Sequence, residues 1–293
     1  MKKLLNILIS FSIIFTGLSV SVKATAQPFK IKVATYNIRL QTSADTAARA
    51  WINRKVDVAR LIKRYNFDVF GVQEVGSASQ KKDLETLIPD YTYFGKGRDN
   101  QEGTLGEQIG IFYKTSRFVQ KETGYFFLSA TPEKMSIGWD AAFRRLCVWT
   151  KLVDKTDQKQ FYVFCTHFDH IGKTARVESA KLIVERIKDI AGKSPVLFVG
   201  DLNTSPESTE IYKILTSYLN DSRVISQTRP TGSLGTFNGY NITTDSLPLD
   251  VRIDYIMGQK IKVTSYKAIS DRYNKETFPS DHFPVMIECN IQP

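Results

Sequence analysis

Six short segments place polar side chains at the ends of apolar, strand-like runs: Asn37 in Val-Ala-Thr-Tyr-Asn-Ile-Arg, Glu74 in Phe-Gly-Val-Gln-Glu-Val, His167 in Phe-Cys-Thr-His-Phe-Asp-His, Asp201 and Asn203 in Val-Gly-Asp-Leu-Asn-Thr-Ser-Pro, Asp254 in Arg-Ile-Asp-Tyr-Ile-Met, and Asp281 with His282 in Pro-Ser-Asp-His-Phe-Pro-Val. Carboxylates and an amide beside two histidines are what metal-assisted phosphoester hydrolysis needs. Each residue also has a plainer reading. Glu74 after a buried run is costly unless paired or bound to a cation. Asn37 fits a turn after a strand. Asp201 and Asn203 stand two apart, so both side chains can point the same way, but a turn and a helix cap would use the same residues. The chain has only three histidines, and two of them, His167 and His282, fall in these segments.

The intervening sequence supplies the elements that must hold these groups. Strand patterns cover 31–38, 68–73, 91–94, 108–114, 118–123, 146–153, 160–166, 196–199, 253–257, 261–269 and 284–291. Helical periodicity covers 47–65, with Trp51, Val58, Leu61, Ile62 and Tyr65 as its apolar stripe, and 82–88, 176–190 and 209–219. Strands outnumber helices, and helices separate only some of them. The expected class is therefore α/β (α+β), with mixed rather than all-parallel sheets.

The order and wording of the six segments resemble the endonuclease/exonuclease/phosphatase superfamily of divalent-metal phosphohydrolases. The resemblance covers about 31–291 and implies a four-layer sandwich, two β-sheets face to face with helices outside. It implies that Glu74 binds a catalytic Mg²⁺ or Mn²⁺, with Asn37 beside it and Asp281 near a second metal position. It implies that Asp201 orients or deprotonates the attacking water, which Asn203 helps to hold. His167 and His282 would contact the scissile phosphate, with Asp254 as the partner of His282. Arg145 and Arg176 are candidate phosphate ligands, because a guanidinium binds phosphate in bidentate fashion; Arg176 reads equally well as a surface ion-pair residue. Trp139, Phe143 and Phe237 lie between strands, where they would either stack on a base or sugar or pack a loop onto the core. His170 and Asp169 read either as residues that support the site or its substrate loop, or as plain surface-loop residues, and Glu107 as a strand-start carboxylate without an assigned role.

Residues 1–26 read as a signal peptide: a basic start, an apolar stretch from Leu4 to Val22, and Ala24-Thr25-Ala26 before a cleavage point at Gln27. Residues 27–293 then form one catalytic domain, exported to the periplasm or the medium, without stable membrane insertion, and monomeric. Lys2, Lys3 and Lys23 leave with the signal, so a net charge of +10 becomes +7. A basic enzyme attracts anionic substrates. The expected partner is a phosphoester: nucleic acid first, sugar or inositol phosphates second, sphingomyelin-type lipids third. A non-catalytic anion-binding module is the rival from a different class. Cys147, Cys165 and Cys289 are an odd set in apolar contexts, which favours buried free thiols.

Overall fold

The structure, a computed structural model, describes residues 29–244 and 246–292. The expected signal peptide lies outside the described residues. Strands β1 (Lys30–Asn37), β2 (Val69–Val75), β3 (Tyr91–Gly97), β4 (Gln108–Lys114) and β5 (Phe118–Phe127) occupy the first half. Then follow β6 (Leu146–Asp154), β7 (Gln160–His167), β8 (Val196–Asp201), β9 (Asn220–Asp221), β10 (Thr231–Gly232), β11 (Asp254–Gln259), β12 (Ile261–Ala268) and β13 (Val285–Ile291). The helices are α1 (Trp51–Tyr65), α2 (Ala78–Leu87), α3 (Lys173–Ala191) and α4 (Thr209–Thr216).

One sheet has the order β10-β12-β13-β1-β2-β4-β3 and the other β5-β6-β7-β8-β11-β9. Both are mixed: β1 runs parallel to β2 and β7 parallel to β8, while most other neighbours are antiparallel. Their inner faces meet in a core of Val33, Val69, Ile111, Val285 and Ile287 against Val148, Val163, Leu197, Val199 and Ile256. At Gly71 the sheets come so close that a Cβ would lie 2.4 Å from Val199 Cγ2. Helices α3 and α4 cover the outer face of the second sheet through Ile183, Ile187, Ile211 and Leu215 on Phe164 and Phe198. Helices α1 and α2 cover the first through Val58, Leu61, Ile62 and Leu84 on Tyr36 and Phe70. These are the four layers implied by the resemblance. All three cysteines are buried and unpaired.

Three helices start elsewhere than their periodicity suggests, α3 beginning three residues early at Lys173. Ala47–Arg49 forms a 3-10 turn, and Ala50, with ψ 138°, breaks the backbone before α1. Helix α2 begins at Ala78 because the Ser77 hydroxyl accepts the Gln80 N–H at 3.1 Å, a side-chain cap. Among the described residues, no helix is long and apolar enough to cross a membrane.

Candidate active site

The site forms where both sheets present strand ends at the same edge. Asn37 closes β1, His167 closes β7 and Asp201 closes β8, while Asp254 opens β11. Register places Asp201 directly beside His167 on one side and Asp254 on the other. Glu74 comes from β2, where the pairing with β4 slips between Val72 and Val75. Its backbone is left-handed, φ 61°, a conformation that costs energy for a residue with a Cβ. This bulge turns a carboxylate that would otherwise follow the strand's alternation into the cleft. The segment before β13 brings Asp281 and His282 to the same place.

A dense set of contacts joins these groups. The Asn37 amide nitrogen donates to Glu74 Oε1 at 2.9 Å and to Asp201 Oδ2 at 3.0 Å. Asp254 Oδ2 lies 2.9 Å from His282 Nδ1. His282 Nε2 and His167 Nε2 approach Asp201 Oδ2 at 3.8 and 3.4 Å. Asp201 Oδ1 accepts the Asn203 N–H at 2.9 Å. Burial opposes the charge on Asp201, but the two histidines, the Asn203 N–H and the Asn37 amide outweigh it and hold the carboxyl below its usual range. Burial also opposes protonation of His282, yet the Asp254 and Asp201 carboxylates raise it well above an ordinary imidazole.

The candidate residues are not all equally placed. Glu74, His167, Asp201, Asn203, Asp281, His282 and Arg145 line one cleft of about 510 Å³. Asn37 and Asp254 support it from behind, both buried. Asn37 turns its nitrogen to the carboxylates, and its oxygen accepts the Arg39 N–H at 3.0 Å. Its amide thus bridges the Glu74 and Asp201 carboxylates. Arg176 stands apart from the lining, with Nη1 donating to the Asp169 carbonyl at 2.9 Å. Trp139 is exposed and also stands outside the lining; the aromatic walls are Phe143 and Phe237.

Glu107, Arg98 and Arg39 also line the cleft, together with Leu40, Ile253 and His170, whose Nδ1 lies 3.3 Å from Arg145 Nη2. Glu107 Oε1 lies 3.4 Å from His167 Nδ1 and 3.3 Å from Arg98. Burial opposes its ionisation, but His167, Arg98 and Arg145 bring its carboxyl down to about 2. Asp169 is a loop anchor: it accepts four main-chain N–H groups, from Ala142, Phe143, Ile171 and Gly172.

Glu74 and Asp281 present oxygen donors to the cleft, and that donor set fits a hard divalent cation. Burial raises the Asp281 carboxyl, and the negative charge of Glu74 adds to the rise; a cation between them would relieve both effects. Asp201, Asp254 and His282 also bring ligand atoms within 4.8 Å of one another. Asp201 Oδ2 meets the Asn37 amide and Asp254 Oδ2 meets His282 Nδ1, while the buried Asp254 Oδ1 has no hydrogen-bond partner among the described residues.

The family model described as the Endonuclease/Exonuclease/phosphatase family matches residues 34–282, a span that contains every one of these groups. The chain belongs to this family. Its members are phosphoric ester hydrolases, and divalent-metal dependence is general among them. A family protein from Bacteroides thetaiotaomicron is 36% identical, with a TM-score of 0.85 over 91% of this chain and 100% of that one. A mannosyl-6-phosphatase from the same species is also 36% identical, with a TM-score of 0.83 over 88% and 99%. TDP2 from D. rerio, solved with a single-strand DNA product, is 16% identical with a TM-score of 0.69 over 89% and 99%; that likeness is one of fold alone.

Proposed function

We propose that this protein is a divalent-metal-dependent phosphomonoesterase acting on a small sugar phosphate. The observation that carries the reading is the charge balance of the cleft. Three arginines, Arg39, Arg98 and Arg145, line it against four carboxylates, Glu74, Glu107, Asp201 and Asp281. Each arginine is already paired: Arg39 with Asp45 and Asp281, Arg98 with Glu107, Arg145 with Glu107 and Asp169. A nucleic-acid backbone needs unpaired cations along a track, and this lining leaves none. The net +7 expected of the mature chain is thus surface charge, and it does not favour nucleic acid at the site. A cavity of about 510 Å³ is the size of small-ligand pockets. Paired charges and two aromatic walls suit a hydroxyl-rich ring. The resemblance to a mannosyl-6-phosphatase over most of both chains supports the same class. We further propose export, on the strength of residues 1–26.

In this reading Glu74 and Asp281 hold the cation, which when bound neutralises charge on the phosphoryl oxygens. Asp201 stays ionised and accepts a hydrogen bond from the attacking water, orienting it in line, and Asn203 flanks it. His282, kept protonated by Asp254, faces the phosphoryl group with its Nε2–H, and His167, with Glu107 at its Nδ1, lies beside it. Phosphoryl transfer asks for positioning and charge stabilisation more than for covalent help from the protein, and this arrangement supplies both.

The test is a hydrolysis panel with Mg²⁺, Mn²⁺ or chelator: mannose 6-phosphate, other hexose phosphates, inositol phosphates, single- and double-stranded DNA, and bis-(p-nitrophenyl) phosphate. Glu74→Ala serves as the blank. Metal-dependent release of phosphate from a hexose phosphate, absent in the blank, is expected. Faster cleavage of DNA or of the diester than of every monoester would overturn the reading.

A further inference from the structure

Arg54 is the bulkiest fully buried side chain among the described residues, on the inner face of α1. A buried cation is costly unless it is paired and hydrogen-bonded, yet Arg54 enters no ion pair among the described residues. Its guanidinium donates instead to main-chain carbonyls. Nε reaches Arg49 at 2.9 Å; Nη1 reaches Ile38, and Pro279 at 3.2 Å; Nη2 reaches Arg39 at 2.6 Å and Leu40 at 3.5 Å.

These carbonyls belong to the segments that flank the site. The peptide linking Ile38 to Arg39 gives its C=O to Arg54 and its N–H to Asn37 Oδ1 at 3.0 Å. The peptide linking Arg39 to Leu40 gives its C=O to Arg54 and its N–H to Glu74 Oε2 at 3.0 Å. A peptide unit is planar, so fixing the carbonyl fixes the direction of the N–H. Pro279 directly precedes Ser280, whose hydroxyl donates to the Asn37 carbonyl at 2.7 Å. Arg39 itself has φ 58°, a backbone conformation that persists only where surroundings impose it.

We propose that Arg54 is a positioning residue. Through two peptide planes it aims the Asn37 amide and the Glu74 carboxylate, and through Pro279 it holds the Asp281 segment against them. The proposal rests on the reading of Glu74 and Asp281 as the cation-holding pair. It is tested on Arg54→Lys, which keeps the charge but loses the planar fork that spans several acceptors. Arg54→Gln is measured in parallel and serves if the lysine variant does not fold. Expected are a folded protein, a kcat lower by about 10- to 100-fold with little change in KM, and a Mn²⁺ affinity, read by titration calorimetry, weaker by about tenfold. Amide exchange should rise in 38–41 and 279–283 together, while 51–65 stays protected. A folded variant with wild-type kcat and Mn²⁺ affinity, or with faster exchange confined to 51–65, would overturn the proposal and leave Arg54 a packing residue. If the wild-type protein hydrolyses no phosphate ester, the proposed function fails, while Mn²⁺ binding and exchange still decide the role of Arg54.

Discussion

Replacing Asp254 by Asn isolates the charge that serves His282. The two side chains meet at 2.9 Å, both buried. An Asn oxygen can still accept from Nδ1, so the substitution removes the charge and keeps the shape. With charge centres about 4 Å apart and an effective dielectric near 20, the lost attraction is about 4 kcal/mol. If the transition state uses the full imidazolium, kcat falls by about 10³-fold. The sign of the pH effect follows from the same pair. A raised imidazole is protonated below its folded-state value, so activity that depends on the imidazolium is present at low pH and lost as pH rises through that value. Without the carboxylate, the loss moves to lower pH. The assay is kcat against pH on a hexose phosphate, with thermal unfolding as a control for folding. A folded variant within tenfold of wild type and with an unmoved basic limb would refute the dyad as the source of the protonated histidine.

Three further outcomes test how the scaffold holds the site. Gly71→Ala puts a methyl 2.4 Å from Val199 Cγ2 and 2.9 Å from Cys165 Sγ; overpacking should cost about 1–3 kcal/mol in urea unfolding and, because Glu74 lies on the same strand, lower kcat of the folded fraction. Asp169→Asn should lose about 3 kcal/mol at pH 7, because a carboxylate accepting several N–H groups is replaced by a weaker acceptor. Burial opposes the charge of Asp169, but the N–H groups of Gly172, Ala142, Ile171 and Phe143 hold it well below the usual range. Its contribution is therefore complete above about pH 4 and fades as pH falls through the folded-state value, so the gap between wild type and variant should narrow in acid. Arg252→Met strips Asp221 of a partner bonded to both its oxygens at 2.7 Å in the interior; denaturation should show a loss of about 3–5 kcal/mol, partly restored by adding Asp221→Asn.

The sequence was most legible where local chemistry and chain direction agree. His167 and Asp201 follow runs of buried β-formers, and both stand at the strand ends where those runs stop. Glu74 was legible as a group but not as a geometry, because the bulge that aims it depends on pairing with β4. Glu107 had no readable role because His167 arrives from the other sheet, and Arg98 none because it serves Glu107. Arg54 lies three residues after Trp51 and four before Val58, on the buried face of α1. A charged residue at an apolar position hid it, and the carbonyls that solvate it come from segments distant in the chain. Arg176 and Trp139 carried suitable chemistry in suitable places, but the Asp169 carbonyl takes the first and solvent the second.

The two histidines show how the site depends on the relative placement of the two sheets. His282, just ahead of β13 in the first sheet, is braced by Asp254 of β11 in the second, at 2.9 Å. His167 is braced across the sandwich by Glu107, at 3.4 Å, and Glu107 in turn is held by Arg98 and Arg145. Both imidazoles turn Nε2 toward Asp201; His282 Nδ1 is hydrogen-bonded to Asp254, and His167 Nδ1 faces Glu107 at ion-pair distance. A shift of one sheet against the other would move both imidazoles relative to their carboxylates. Close packing at Gly71 and the Asn37 link between Glu74 and Asp201 oppose that slip. The interior contact between the sheets is thus part of the alignment of the site as well as of the stability of the fold.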